Sequence, residues 1–236
     1  SYLVQKYFRQ MADAGCDTVV MEVSSQGLML HRTQGFTFDF GIFTNLEPDH
    51  IGENEHKDFE DYMRCKSLLF QQCRVGIVNH DDPHWEEVTK GCTCELETYG
   101  IDTQADLWAE NIEFLNEAGT LGMGFDVKGL MNFPVEITSP GKFNVYNALT
   151  AIAICRHFKV QEENIKAALL AARVKGRTEM VKVSDAFTLM IDYAHNAMAL
   201  KSLLTTMRAY QPHRLVCLFG CGGNRAKSRR YEMGEV

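Results

Sequence analysis

The sequence predicts an α/β fold: a mostly parallel central sheet with flanking helices, a small antiparallel meander, and then part of a second, Rossmann-like α/β unit. Three observations carry that prediction. Short apolar, β-branched runs (DTVVMEV, FGIFT and VGIV) alternate with stretches of helical periodicity, the rhythm of a parallel sheet. From Glu95 to Thr138 the period drops to two, with Gly- and Asn-containing turns between runs, as in hairpins. Beyond VKGR a strand, a helix and another strand follow one another again.

Composition narrows the class. At 236 residues, 45% apolar and 23% charged, the chain has the make-up of a globular protein with a substantial core. A net charge of −7 argues against a broad nucleic-acid-binding face. No apolar run approaches the roughly 20 residues of a membrane span, and no secretory signal opens the chain. Neither nucleic acid nor membrane is expected as a partner, and the expected location is cytoplasmic. The eight cysteines include no paired CxxC. Cys155 and Cys217, inside apolar runs, read as small hydrophobes in a reducing compartment, and Cys92 and Cys94 as a loop.

Taken in order, Ser1–Ala14 reads as an amphipathic helix (Leu3, Tyr7, Met11, Ala14) closed by Gly15. Asp17–Val23 reads as a buried strand with Glu22 near its end, followed by Ser24, Ser25 and Gly27. A second strand, Phe40–Thr44, ends in Asn45, and a third, Val75–Val78, runs into the turn NHDDPHW. Ligands gather at the C-terminal ends of parallel strands, where Glu22, Ser24 and Asn45 fall. The meander comprises Leu107–Leu115, Leu121–Val127 and Phe133–Thr138, and the sequence then predicts helices over Lys142–Phe158 and Glu162–Arg173. Val174–Arg177 reads as a linker, dividing the chain into domains 1–173 and 174–236. After it come a strand, Phe187–Ile191, ending in Asp192; a helix, Ala197–Tyr210; a strand, Leu215–Phe219; and a glycine-rich loop from Gly220 to Arg225. A further helix is under way at Tyr231–Val236.

The stretch from Thr44 to Phe70 holds one residue out of pattern. With Asp58 as N-cap, the apolar positions Phe59, Tyr62, Met63, Leu69 and Phe70 lie at spacings 0, 3, 4, 10 and 11, one face of a helix. Spacing 7 is Lys66. Its stem can cover apolar surface while the amine reaches water. Alternatively, the amine is desolvated, with a lowered pKa and a reactive neutral form.

Other residues carry chemistry with competing plain readings. Glu22 and His50, with Asp49 nearby, offer hard ligands for magnesium, or else cap a turn and bond a loop. His80-Asp-Asp-Pro-His84 holds metal-ligand residue types, but Asp-Pro after a strand is first a turn signal. Asn144 and Asn147, three apart at a helix start, can read an adenine edge or simply face solvent. Asp192 suits a ribose hydroxyl pair, or caps the helix that follows.

Together these segments resemble the Mur ligase family. The matching stretches are MEVSSQGLMLHR, FTNLEPDHIG, the lysine of MRCKSLLF, GKFNVYNALTA, VKGRTEMV, IDYAHNAMAL and FGCGGNRAKSRR, in family order over nearly the whole chain. Folylpolyglutamate and cyanophycin synthetases share the plan, but IDYAHN and GCGGNR fit the diamino-acid-adding branch better. PDHIG…EHKDFEDY and Asn196 after DYAH look more like its lysine-adding than its diaminopimelate-adding form. A Mur-like binding module without ligase activity is the alternative from another class.

The resemblance implies an ATP-dependent amide ligase of peptidoglycan precursor synthesis. ATP phosphorylates the D-glutamyl side-chain carboxylate of UDP-MurNAc-L-Ala-D-Glu, and the amine of L-lysine or meso-diaminopimelate attacks the acyl phosphate. Carried over residue by residue, Glu22 and His50 look like magnesium ligands and Lys66 like the family's carbamylated lysine, which orients a second magnesium ion. Ser24 and Arg32 look like nucleotide-sugar contacts, with Asn45 near the phosphates. Asn144, Asn147, Arg177, Asp192 and His195 look like ATP contacts, and a monomer is expected. The family's phosphate loop, G-x-x-G-K-[ST], occurs nowhere in the chain. Its expected place is upstream of Ser1, and the motif that selects the diamino acid is expected beyond Val236. The stretch in hand, a partial middle domain and a partial C-terminal domain, is therefore expected to be inactive alone.

Overall fold

The computed structural model describes residues 1–48, 51–52, 55–117, 119–184, 186–222 and 228–236. These pack as two compact units, Ser1–Asp106 and Leu107–Val236.

In the first unit, α1 (Tyr2–Asp13) ends where Gly15, at φ +78°, donates to Ala12 O and lets Cys16 reach back to Met11 O. A short helix α2 (Ser25–Met29) leads to β1 (Phe38–Phe43). Helix α3 (Phe59–Ser67) starts at Asp58, whose side chain accepts from Asp61 N at 2.7 Å. Glu60 and Asp61 in its first turn and Arg64 and Lys66 in its last complement the helix dipole. A 3₁₀ turn, Leu68–Gln71, then delivers the chain into β2 (Cys73–Asn79). Helix α4 (Trp85–Thr89) precedes β3 (Glu95–Gly100), a strand the sequence reading folded into the meander. β1 pairs with β2 and β2 with β3, both in parallel. The predicted stripe on α3 is the packed face: Tyr62 and Phe70 join Phe43, Leu46, Val78 and Val88 in the core, with Phe59, Met63 and Leu69 against them.

The expected strand over Asp17–Val23 is not formed. The run has no hydrogen-bonded strand neighbour among the described residues, and Val20 is 94% exposed. A β-branched run becomes a strand only when another backbone supplies its ladder.

In the second unit, β4 (Leu107–Glu117), β5 (Thr120–Gly129) and β6 (Phe133–Ile137) form the expected antiparallel meander. Helix α5 (Lys142–His157) buries Val145, Ala148, Leu149, Ile152 and Ala153, the i, i+3, i+4, i+7 and i+8 face, and packs on β4 and β5. Helix α6 (Glu162–Ala171) packs on β6. A β-pair not foreseen as such, β7 (Glu179–Val181) with β8 (Leu189–Ile191), is antiparallel. Helices α7 (Ala197–Ala209) and α8 (Ser228–Glu235) follow. Tyr210, just past α7, donates its hydroxyl to Gly122 O in β5 at 2.5 Å, and burial pushes its phenol up to about 12. Gly122 has no room for a side chain, since a Cβ there would lie 2.3 Å from Ile137 O.

Among the described residues of 174–236, the one strand pair is antiparallel. Leu215–Phe219 forms no strand, and Leu218 is 99% exposed. Cys217, expected as a buried hydrophobe, is exposed too, for the same lack of a partner ladder; all eight cysteines are free. No helix among the described residues is long and apolar enough to cross a membrane.

Candidate active site

Within the first unit, the C-terminal end of β1 is fastened from three sides. Tyr99 donates its hydroxyl to Phe43 O at 3.2 Å, Asn79 its amide to Thr44 O at 2.9 Å, and Leu46 N donates to Asp82 Oδ2 at 2.8 Å. Asn45, exposed between these clamps, is thereby held at the strand end. The NHDDPHW segment is the turn expected, with Asp82 Oδ1 accepting from His84 N at 2.9 Å. Asp82 is 7% exposed, and sequence reasoning placed it only in that turn and among the metal-ligand residue types of His80–His84.

Lys66 is half-buried near the end of α3, its ammonium 5.3 Å from the Tyr62 ring centroid. Burial pushes its pKa below the usual lysine value, while the nearby carboxylates of Asp82 and Glu22 pull it back up. Among the described residues the amine has no hydrogen-bond or ion-pair partner. Half-burial and the lack of such a partner favour the desolvated amine over the solvated one. Glu22 is exposed. Ser24 caps α2, accepting from Gly27 N at 3.0 Å, and Arg32 N closes the turn after that helix on Gly27 O. His50 and Asp49 lie outside the described residues, as do Gly223, Asn224 and Arg225 of the glycine-rich loop.

A nearby cluster was not anticipated. His56, fully buried, meets Ser25 Oγ through Nε2 at 2.8 Å and Asp61 Oδ2 through Nδ1 at 3.1 Å. His56 and Asp61 form with Cys65 a group of metal-ligand types. The Arg64 guanidinium, however, is 2.6 Å from Asp61 Oδ1 and 3.4 Å from Cys65 Sγ, and opposes a cation there. Arg64 first, and the His56 ring second, hold the Asp61 carboxyl below its usual range, while burial pushes the Cys65 thiol up, away from the thiolate a metal takes. Periodicity and spacing do not mark His56, which entered the sequence reading only as part of EHKDFEDY.

In the second unit, the predicted nucleotide residues are brought together. Asn147 donates to Asn144 Oδ1 at 3.2 Å, and Asn144 Nδ2 lies 2.8 Å from Pro140 O and 3.3 Å from Thr178 Oγ1. Thr178 N and Ala194 N each donate to Asp192, at 2.8 Å. The Arg177 guanidinium stacks 4.9 Å from the Tyr193 ring centroid, and the His195 ring lies 5.3 Å from the same ring. Asp192 is thus not the cap of α7; Asn196 is, accepting from Ala199 N at 2.8 Å.

The Mur ligase middle domain profile matches residues 1–155, and the profile of the Mur ligase glutamate ligase domain matches 176–236. The chain belongs to the Mur ligase family. Among its relatives is UDP-N-acetylmuramoyl-L-alanyl-D-glutamate--2,6-diaminopimelate ligase 1 of Clostridium acetobutylicum, 40% identical over 99% of this chain and 48% of that protein. The corresponding ligase of Clostridium perfringens is 34% identical over all of this chain and 49% of that protein. The chain therefore spans about half the length of the curated relatives it matches. A solved structure of such a diaminopimelate ligase superposes at TM-score 0.77 with 25% identity, covering 99% of this Mur-family chain and 48% of the other. The folylpolyglutamate synthetase of Lactobacillus casei, at TM-score 0.60 and 14% identity over 75% of this chain and 44% of that one, shares the fold alone.

Proposed function

We propose that this chain is the core of an ATP-dependent ligase that joins meso-diaminopimelate to the D-glutamyl side-chain carboxylate of UDP-MurNAc-L-Ala-D-Glu. It would act in the cytoplasm, as a monomer, in peptidoglycan precursor synthesis. The observation that carries the reading is identity of 34–40% over essentially the whole chain to ligases named for that reaction. The same relatives replace the lysine-adding preference, which rested on a few loop residues. The proposed domain division remains 1–173 and 174–236.

The residues fit this chemistry. A desolvated amine reacts with carbon dioxide in its neutral form, giving a carbamate and a proton. A carbamate on Lys66 and the Glu22 carboxylate are oxygen donors of the kind magnesium takes, with His50 as a further proposed ligand. Magnesium held there would spread the charge of phosphoryl transfer. Ser24 keeps its hydroxyl proton free to bond the nucleotide sugar, because its oxygen acts only as an acceptor in the cap. Arg32 offers a charged fork to the same substrate, and Asn45, fixed by its clamped neighbours, an amide to the phosphates. Asn144 and Asn147 present amides to adenine, Asp192 a carboxylate to the ribose, and Arg177 and His195 donors to the remaining ATP groups.

The test is phosphate release by a protein of the relatives' full length that carries this sequence. Release should require UDP-MurNAc-L-Ala-D-Glu together with meso-diaminopimelate. Release with L-lysine alone as acceptor would correct the amino acid, and release only with folate and glutamate would overturn the proposal.

A further inference from the structure

The Ser25–His56–Asp61 chain has the atom order of a nucleophilic triad, yet Ser25 is 5% exposed and His56 fully buried, so no substrate reaches the hydroxyl. Its place in the fold indicates a different task. Ser25 is the first residue of α2, directly after Ser24 and three residues after Glu22. Asp61 lies in the first turn of α3, and Lys66 in its last. Between them the His56 ring lies tilted, 5.2 Å from Tyr62, the same ring that faces the Lys66 ammonium at 5.3 Å. Gly52 N also donates to His56 O at 3.1 Å.

A carboxylate can only accept, so Asp61 takes the Nδ1 proton of His56. In the neutral ring Nε2 is then an acceptor, and the Ser25 hydroxyl donates to it. Both ring nitrogens are spoken for, one by each helix. Arg64, 2.6 Å from the other Asp61 oxygen, keeps that carboxylate turned toward the ring. The network is buried at His56 and Ser25 and opens to solvent at Arg64, and removing one member leaves a buried group unpaired.

We propose that His56 is a positioning residue of the ligase reaction: it fastens the turn carrying Ser24 to the helix carrying Lys66, so that the nucleotide-sugar contact and the reactive lysine keep a fixed spacing. The proposal rests on the ligase reading above and adds to it a residue that touches neither substrate nor metal.

The experiment compares wild type, Ser25→Ala, His56→Gln and Asp61→Asn in the full-length protein. It reads kcat, KM for UDP-MurNAc-L-Ala-D-Glu, KM for ATP and the melting temperature. Each variant should raise KM for the nucleotide sugar roughly tenfold, the factor corresponding to about 1.4 kcal/mol, while KM for ATP stays within about twofold. The Ser25→Ala/His56→Gln pair should do little more harm than the worse single change, since both cut one link. A lower melting temperature with a reduced kcat but unchanged KM values would mean a purely structural buttress and would overturn the proposal. Ser25→Ala, which removes one hydroxyl, keeps the test decisive if His56→Gln does not fold. Wild-type protein inactive with the nucleotide sugar would sink the ligase reading and this proposal together; an active wild type with unmoved KM values sinks this proposal alone.

Discussion

The surroundings of Lys66 and those of Asp192 are built on opposite plans. Asp192 accepts two backbone N–H groups, and Asn144 and Asn147 are linked to each other and onward to Thr178. Lys66 has an aromatic face and two carboxylates in its vicinity but no hydrogen-bond partner among the described residues. A recognition surface gains from being fixed before its ligand arrives, because less ordering is left to the binding step. An amine that must change its covalent state gains nothing from hydrogen bonds to its charged form, since each would raise its pKa and deplete the reactive neutral form. Under the proposed ligase reading, the difference suits one region to recognition and the other to reaction.

That contrast can be broken experimentally. The largest effect is expected at Lys66: Lys66→Ala in the full-length protein should lower kcat by about 10²–10³-fold, the scale of losing one preorganised electrostatic group. Short carboxylic acids added to that variant should restore part of the rate, and a rate near wild type would erase the distinction. Next, Asp192→Ala should destabilise the protein by about 1–3 kcal/mol in urea unfolding, because Thr178, 5% exposed, loses the acceptor of its backbone N–H. KM for ATP should rise in the same variant. Asn196→Ala, which removes the cap of α7 beside that cluster, should cost about 1 kcal/mol and leave the Lys66 region untouched.

The smallest effect is a pH dependence. A lysine with a lowered folded pKa penalises folding while it is charged, and the penalty lifts as pH rises from its folded value toward about 10.4, where the unfolded chain still binds the proton. In metal-free buffer, wild type should therefore gain stability relative to Lys66→Met as pH climbs through that window. Parallel curves would show an amine that is solvated after all.

The sequence disclosed those features whose cause is local. Asp58 as cap, the stripe Phe59–Tyr62–Met63, the period-two meander and the helix at Lys142 all follow from neighbours a few residues away, and all are in the structure. Asp17–Val23 and Leu215–Phe219 have strand composition, but whether such a run pairs depends on a backbone that composition does not name. The same limit governed the site. Lys66 broke a visible pattern, and Asn144 and Asn147 shared a helix face, so each was readable. His56 and Asp82 matter through partners 31 and 36 positions away, Ser25 and Leu46, and no local signal reports such a bond.

The Tyr210 hydroxyl on Gly122 makes the seating of α7 on β5 observable without a label. While the phenol is buried it keeps its proton up to about 12; released into water it ionises near ~10 like any tyrosine. A group whose pKa is raised in the folded state stabilises it below the unfolded value and surrenders that contribution as pH rises. Alkaline titration between those limits therefore works as a release catch for this contact, and the ultraviolet absorbance of the new phenolate signals when it has opened.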